Sequence, residues 1–216
     1  MGIGLATAKV LAEKGAKVVL AARSADKLAQ IEKEIPGSFA VTTDMTKPED
    51  ITALIKKTQE KFGRIDVLIN NAGQGMRVSV EKIDMKDYEE VMNLNVFAVV
   101  RAMQAVIPVM RAQGGGMILN ISSMVSKMYF PELAAYSSTK YALNSISLTA
   151  RQELEKDKIV VSVFHPRMTA TDFGQNAKGT KYVSSAGRPG MNAESAEEVA
   201  DAIAEQIESE EPEVMR

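Results

Sequence analysis

Met117-Ile-Leu-Asn-Ile121 and Ile159-Val-Val-Ser-Val-Phe164 are nearly unbroken apolar runs rich in β-branched residues. A strand with one wet face alternates apolar and polar side chains; these two do not, so each is a strand covered on both faces. Outward from them, Val18 to Ala22, Phe39 to Thr42 and Val67 to Ile69 have the same character. Between the runs lie stretches of helical period at 3–14, 25–34, 47–62, 86–112, 134–156 and 195–209. Strict alternation of strand and helix gives a parallel sheet with right-handed crossovers. The reading is a doubly wound α/β fold in a single domain over 1–216. The one long stretch without clear period, 172–193, follows the last strong strand and so lies at the carboxyl edge, where such sheets bind ligands. It is read as a substrate loop.

Composition narrows the chemistry. The 216 residues are 45% hydrophobic and 25% charged, the balance of a folded globular chain. There is no cysteine, which excludes disulfides, thiolate nucleophiles and cysteine-ligated metals. One histidine, His165, leaves little for a histidine metal site or a Ser-His-Asp triad, and no metal is expected. Lys plus Arg is 26 against 28 for Asp plus Glu, a net charge of −2 with no basic surface to draw nucleic acid. No apolar run reaches the ~20 residues of a membrane span. Met1 to Leu5 lacks the basic start of a secretory leader, so a cytoplasmic location is expected.

Two local patterns carry chemistry. Gly2-Ile3-Gly4 runs directly into a helix, where small residues let a phosphate approach the backbone amides at the positive end of the dipole. The next strand ends at Ala22, followed by Arg23 and Ser24. In dinucleotide folds an acid at that strand end holds the ribose 2′-hydroxyl, whereas an arginine accommodates a 2′-phosphate. Farther on, Tyr136 and Lys140 are four apart in a helix and so share one face. A tyrosine of pKa ~10 shuttles protons poorly at neutral pH. An ammonium ~4 Å away, at an effective dielectric of ~20, favours the phenolate by about 4 kcal/mol, roughly three pKa units.

With Ser123 thirteen residues before Tyr136, these patterns fall into a larger order. Gly2-Ile-Gly4, Asp44-Met45, Asn70-Asn-Ala-Gly73, Asn95, Ser122-Ser123, Tyr136-x-x-x-Lys140 and the segment Pro166 to Thr171 together resemble the short-chain dehydrogenase/reductase family, over essentially the whole chain. The resemblance implies a Rossmann-type sheet and a catalytic set. Tyr136 would be the general acid or base. Lys140 would lower its pKa and bind the nicotinamide ribose. Ser123 would orient the substrate carbonyl, and Asn95 would hold a water linking the lysine to solvent. It also implies a dinucleotide site. Gly2, Ile3 and Gly4 would meet the phosphates, with Arg23 and Ser24 at the 2′ position. Asp44 and Met45 would lie at the adenine, and Asn71, Ala72 and Gly73 along the adenosine. Pro166, Thr169 and Thr171 would lie near the nicotinamide or pyrophosphate. Arg23 favours NADP over NAD.

The implied activity is NADP(H)-dependent interconversion of a carbonyl and an alcohol on a small molecule. Met124, Met128, Tyr129, Phe130, Met168, Phe173 and Met191 suggest an apolar substrate pocket. The apolar helices 86–112 and 134–156 suggest a homodimer or homotetramer. His165 is read as structural.

The chain also departs from the family pattern. There the nucleotide loop reads Thr-Gly-x-x-x-Gly-x-Gly after a first strand, central in the order 3-2-1-4-5-6-7, whereas Met1 precedes the second glycine of that motif. The expected consequence is a sheet without its central strand, its neighbours held about 10 Å apart, twice the usual spacing, or closed up in an unusual way. Pro166 is followed by Arg167 where the family has glycine, and Glu213 to Arg216 barely suffices for an edge strand. These departures support an alternative reading, an inactive form acting as a binding or interaction module.

Overall fold

A computed structural model of the chain describes residues 2–181 and 193–216. The elements run α1 (Ile3–Glu13), β1 (Val19–Ala22), α2 (Ala25–Glu34), β2 (Phe39–Thr42), α3 (Pro48–Phe62), β3 (Val67–Asn70) and a two-residue β4 (Met76–Arg77). There follow α4 (Met85–Met92), α5 (Ala98–Ala112), β5 (Gly116–Ile121), α6 (Ala134–Leu154), β6 (Ile159–His165), a two-residue β7 (Lys178–Gly179), α7 (Ala196–Ser209) and β8 (Glu213–Met215). The helices start where local chemistry dictates. Ser24 accepts from the Lys27 amide to begin α2, Pro48 opens α3 above Glu49 and Asp50, and Ser195 with Glu198 forms a reciprocal cap on α7.

The described strands are all parallel, as the unbroken apolar runs require. The sheet, however, comes in two pieces. β1 pairs with β2 in the register Val19↔Phe39 to Ala22↔Thr42, and a separate four-stranded piece runs β3-β5-β6-β8. Among the described residues no ladder joins β1 to β3. The neighbours have not closed up. The Phe39 amide donates to Val18 and the Thr43 amide to Ala22, so the backbone groups of Val18, Leu20 and Ala22 face β2. By alternation those of Val19 and Ala21 face away.

Helix α1 spans the division. Its Leu5, Ala8 and Ala12 pack with Leu20 and Leu28, Ile3 packs with the cluster of Met117, Leu119, Val67 and Ile69, and Ala6 and Val10 pack on Ala196 and Ala200 of α7. Apolar burial across the gap thus replaces the missing ladder as the tie between the pieces.

One expectation needs correction. The loop 172–193 is not wholly irregular: Asp172–Asn176 forms a 3₁₀ turn and β7 pairs in parallel with β4. Residues 182–192, Met191 among them, lie outside the described residues. α4, a π-helical turn at Asn93–Phe97 and α5 form one continuous helix over Met85–Ala112, long and apolar enough to cross a membrane by length and composition. Its apolar face is used inside the protein: Val99, Met103, Val106 and Met110 pack against Ile118, Leu143 and Val161. The same contacts bury Val99, Met103, Val106 and Leu143 within the chain. Phe97 is left half exposed, at 49%.

Candidate active site

The strands β3, β5 and β6 end at Asn70, Ile121 and His165, and the predicted catalytic residues gather beyond those ends. Asn95 lies in the π-helical turn, a wider coil often found at functional sites, and is fully buried. Its Oδ1 accepts from the Gln74 amide at 2.8 Å, and its Nδ2 donates to the Gln74 carbonyl at 2.9 Å and to Thr139 Oγ1 at 3.0 Å. Asn95 therefore pins the segment after β3 to α6. Gly73 lies against it: a Cβ built there would be 3.3 Å from Asn95 Oδ1 and 3.8 Å from Lys140 Nζ. A Cβ at 73 would crowd Asn95 and touch the lysine.

Lys140 is buried at 5% exposure, and its ammonium donates to the Ile121 carbonyl at 2.9 Å. Burial away from water disfavours the charged form and pushes its pKa down to about 8. One turn earlier, Tyr136 packs among Met76, Val91 and Ala135, with the Phe173 ring centroid 5.7 Å from its own. Lys140 Nζ lies 6.0 Å from the Tyr136 ring centre.

Ser123 begins the 3₁₀ turn Met124–Lys127, its Oγ accepting from the Val125 amide at 3.3 Å. Val125 packs in the same cluster as Tyr136, so the serine's turn leans on the tyrosine's surroundings.

At the other end, Gly4 lies close against the side chain of Asn71. A Cβ there would lie 2.5 Å from Asn71 Nδ2, so the start of α1 sits directly on the end of β3. Gly2 is the extended residue before α1, and its carbonyl accepts from the amides of Leu5 and Ala6. Ile3 points into the core. Arg23, Asn71 and Ala72 are exposed. Asp44 accepts from the amide and hydroxyl of Thr46, at 3.0 and 2.8 Å, and these bonds, helped by Arg23 and Lys47 nearby, hold its carboxyl below the usual range.

Several expected ligand residues have structural partners instead. Ser24 caps α2. Met45 packs with Ile51, Ala98 and Ala102. Thr171 caps the 3₁₀ turn through the Phe173 amide, and Thr169 is buried with its hydroxyl on the Arg167 carbonyl at 3.0 Å. The Pro166 carbonyl accepts from the Met124 amide, tying β6 to the serine turn, and Arg167 is exposed.

Sequence reading missed Gln74, Thr139 and Asn144. Thr139 and Gln74 each adjoin a recognised motif, and only the fold shows that Asn95 joins them. Asn144 lies one turn beyond Lys140 on the same helix face, a spacing that could have marked it. Among the described residues no cluster of three His, Asp or Glu could hold a metal.

Known proteins resemble this chain in sequence and fold. The family model described as short chain dehydrogenase matches residues 1–181. An uncharacterised oxidoreductase of Staphylococcus saprophyticus is 38% identical over 176 residues, covering 79% of this chain and 71% of the relative. A 3alpha-hydroxysteroid dehydrogenase of Mediterraneibacter gnavus is 34% identical over 180 residues, with the same shares of 79% and 71%. Among solved structures, an alcohol dehydrogenase of the archaeon Thermococcus sibiricus, complexed with 5-hydroxy-NADP, superposes with a TM-score of 0.86 at 28% identity, covering 100% of this chain and 91% of that one. A 3-ketoacyl-(acyl-carrier-protein) reductase of Brucella melitensis, complexed with NADH, gives 0.87 at 28% identity over 95% and 86%. On the family match and the identity of these relatives, the chain belongs to the short-chain dehydrogenase family of oxidoreductases.

Proposed function

We propose that the protein interconverts a carbonyl and an alcohol on a small molecule with a nicotinamide dinucleotide, NADP(H) in preference to NAD(H). The observation that carries this reading is the meeting of Lys140 and Asn95 at Gly73, with Tyr136 one turn before the lysine and its ring packed near the Ser123 turn. Dinucleotide binding fits the chain's own donors. The amides of Ile3 and Gly4 at the start of α1 have no intrahelical partner, and Gly2 before them has open space where a side chain would stand. Arg23, exposed just beyond β1, would pair with a 2′-phosphate. The family relatives bound to a 5-hydroxy-NADP and to NADH support the cofactor class.

The cofactor, when bound, supplies or accepts the hydride. Everything else falls to the residues. Tyr136 gives its phenolic proton to the oxygen on which charge develops. Lys140 favours the phenolate that remains, and its ammonium would donate to a ribose hydroxyl of the bound cofactor. Ser123 donates a second hydrogen bond to the same oxygen. Asn95 holds Gln74 and Thr139 beside the lysine, and would also hold the water that links the lysine to solvent. Met124, Phe173 and the exposed Met128, Tyr129, Phe130 and Met168 would give an apolar approach for the substrate. A cytoplasmic homodimer or homotetramer, formed through the faces that carry Phe97 and Tyr141, completes the reading.

The divided sheet favours a second reading, a binding or interaction module without turnover. Replacing the tyrosine separates the two. Tyr136→Phe should lower carbonyl reduction by at least about a hundredfold, the usual worth of a positioned general acid. NADPH affinity, followed by fluorescence titration, should stay within about twofold. A native chain that binds NADPH yet reduces no carbonyl would favour the module, and a Tyr136→Phe variant with native turnover would move the proton to another group.

A further inference from the structure

Beneath Ser123 lies a buried polar cluster that the proposed chemistry does not use. His165, at the end of β6, is fully buried. Its Nε2 lies 2.8 Å from Glu213 Oε1 on β8, and the same carboxylate oxygen lies 2.7 Å from Lys127 Nζ in the serine turn. Its Nδ1 lies 3.2 Å from Ser126 Oγ and 3.2 Å from the Ser123 carbonyl oxygen. Ser126 donates to that carbonyl at 2.6 Å and accepts from Asn144 Nδ2 at 2.9 Å, and Ser122 donates to Asn144 Oδ1 at 2.6 Å. The chain of bonds thus runs from the last strand, through the imidazole, to the backbone of Ser123 and onto α6 one turn beyond Lys140.

The protonation pattern follows from the partners. A carboxylate only accepts, so Nε2 carries the hydrogen and Nδ1 is left as the acceptor. The Ser126 hydroxyl sits between that nitrogen and the Ser123 carbonyl, and its single proton is shared between the two acceptors, at 3.2 and 2.6 Å. A packing role alone would be met more cheaply by an apolar side chain, because burying an imidazole and a carboxylate costs desolvation unless every polar atom is paired. A fully paired network instead fixes one geometry for the backbone it touches.

We propose that His165 and Glu213 are positioning residues for Ser123, holding the turn so that the serine hydroxyl is presented at one fixed place. The inference rests on the reading of Ser123 as the group that orients the carbonyl. It gives β8, a three-residue edge strand far from the substrate, a part in turnover. Small displacements of an orienting group cost rate rather than cofactor affinity.

Two variants test it, with Glu213→Gln as the conservative rescue. Glu213→Ala removes the anchor from an edge strand. His165→Gln keeps a donor toward Glu213 and gives up the Nδ1 contact. Each should lower kcat about tenfold or more, leave the KM for NADPH within about twofold, and speed hydrogen exchange at the Met124 and Ser126 amides about tenfold. Glu213→Gln, still an acceptor for Nε2, should recover kcat to within about twofold. Faster exchange with native kcat would reduce the cluster to a structural role, and lost kcat with native exchange would remove the proposed route; either overturns the proposal. Either variant, if folded, suffices for this reading. Ser123→Ala, measured alongside, tells the two claims apart: native turnover in that variant overturns the reading of Ser123 itself, and the positioning role with it.

Discussion

The ammonium of Lys140 donates to the carbonyl oxygen of Ile121 across 2.9 Å, with almost no water around it. A neutral acceptor satisfies one of its protons but returns little of the solvation lost, which is why burial brings its pKa down to about 8 from an ordinary 10.5. The sign of the consequence is fixed. Between pH 8 and 10.5 the unfolded chain keeps a proton that the folded chain has released, so stability rises with pH across that window, by up to about 1.4 kcal/mol per pH unit. Urea midpoints of the protein without cofactor, compared with those of Lys140→Met, should diverge in favour of the native chain from pH 8 upward. Parallel curves would show that Lys140 keeps its proton to ordinary pH.

Cofactor choice turns on Arg23, an exposed side chain just beyond β1. A charge-assisted bond to a phosphate is worth ~1.5–3 kcal/mol. Arg23→Ala should therefore weaken NADPH roughly ten- to a hundredfold while leaving NADH within about twofold, as read by titration of both. Equal losses for the two cofactors would remove Arg23 from the 2′-phosphate.

Most element boundaries were legible because the strands are apolar on both faces and the helices between them carry a clear period. The reading of 25–34 as helix and of Phe39 to Thr42 as strand match the structure residue for residue. The Tyr136–Lys140 pairing was legible for the same reason, helix geometry being local. What sequence could not supply was long-range. Asn95 meets Gln74 and Thr139 only because a π-helical turn aims it there, and Glu213 meets His165 only because β8 comes to lie beside β6. Nor could sequence show that the hydroxyls of Thr171, Thr169 and Ser24 serve nearby backbone groups, as such residues commonly do.

Asn120 shows how a polar residue can sit in the middle of an apolar strand. It is fully buried, accepts from Asn70 Nδ2 at 2.8 Å and donates to Ser147 Oγ at 2.8 Å, linking β3, β5 and α6 beneath the site. Asn120→Ala would leave the Asn70 amide without this acceptor in a place water reaches poorly. The expected loss is ~1–3 kcal/mol for the stranded donor, with a further cost for the void. Chemical denaturation would detect it as a lower midpoint at unchanged slope. A variant as stable as the native chain would mean that water or rotation satisfies Asn70.

The division between β1 and β3 has a signature at single amides. In β1 the Leu20 amide faces β2, whereas those of Val19 and Ala21 face away. In β3 the Met117 amide donates to Asp66, so by the same alternation Leu68 faces β5 while Val67 and Ile69 face the gap. A ladder amide exchanges only when the strand opens, and an amide facing a gap has no such requirement. Val19, Ala21, Val67 and Ile69 should therefore exchange about a hundredfold or more faster than Leu20, the ratio for ~3 kcal/mol of opening free energy. Hydrogen exchange followed by NMR resolves these neighbours one by one. Equal protection of Val19 and Leu20 would mean that β1 is paired on both edges in solution and that the sheet is continuous there.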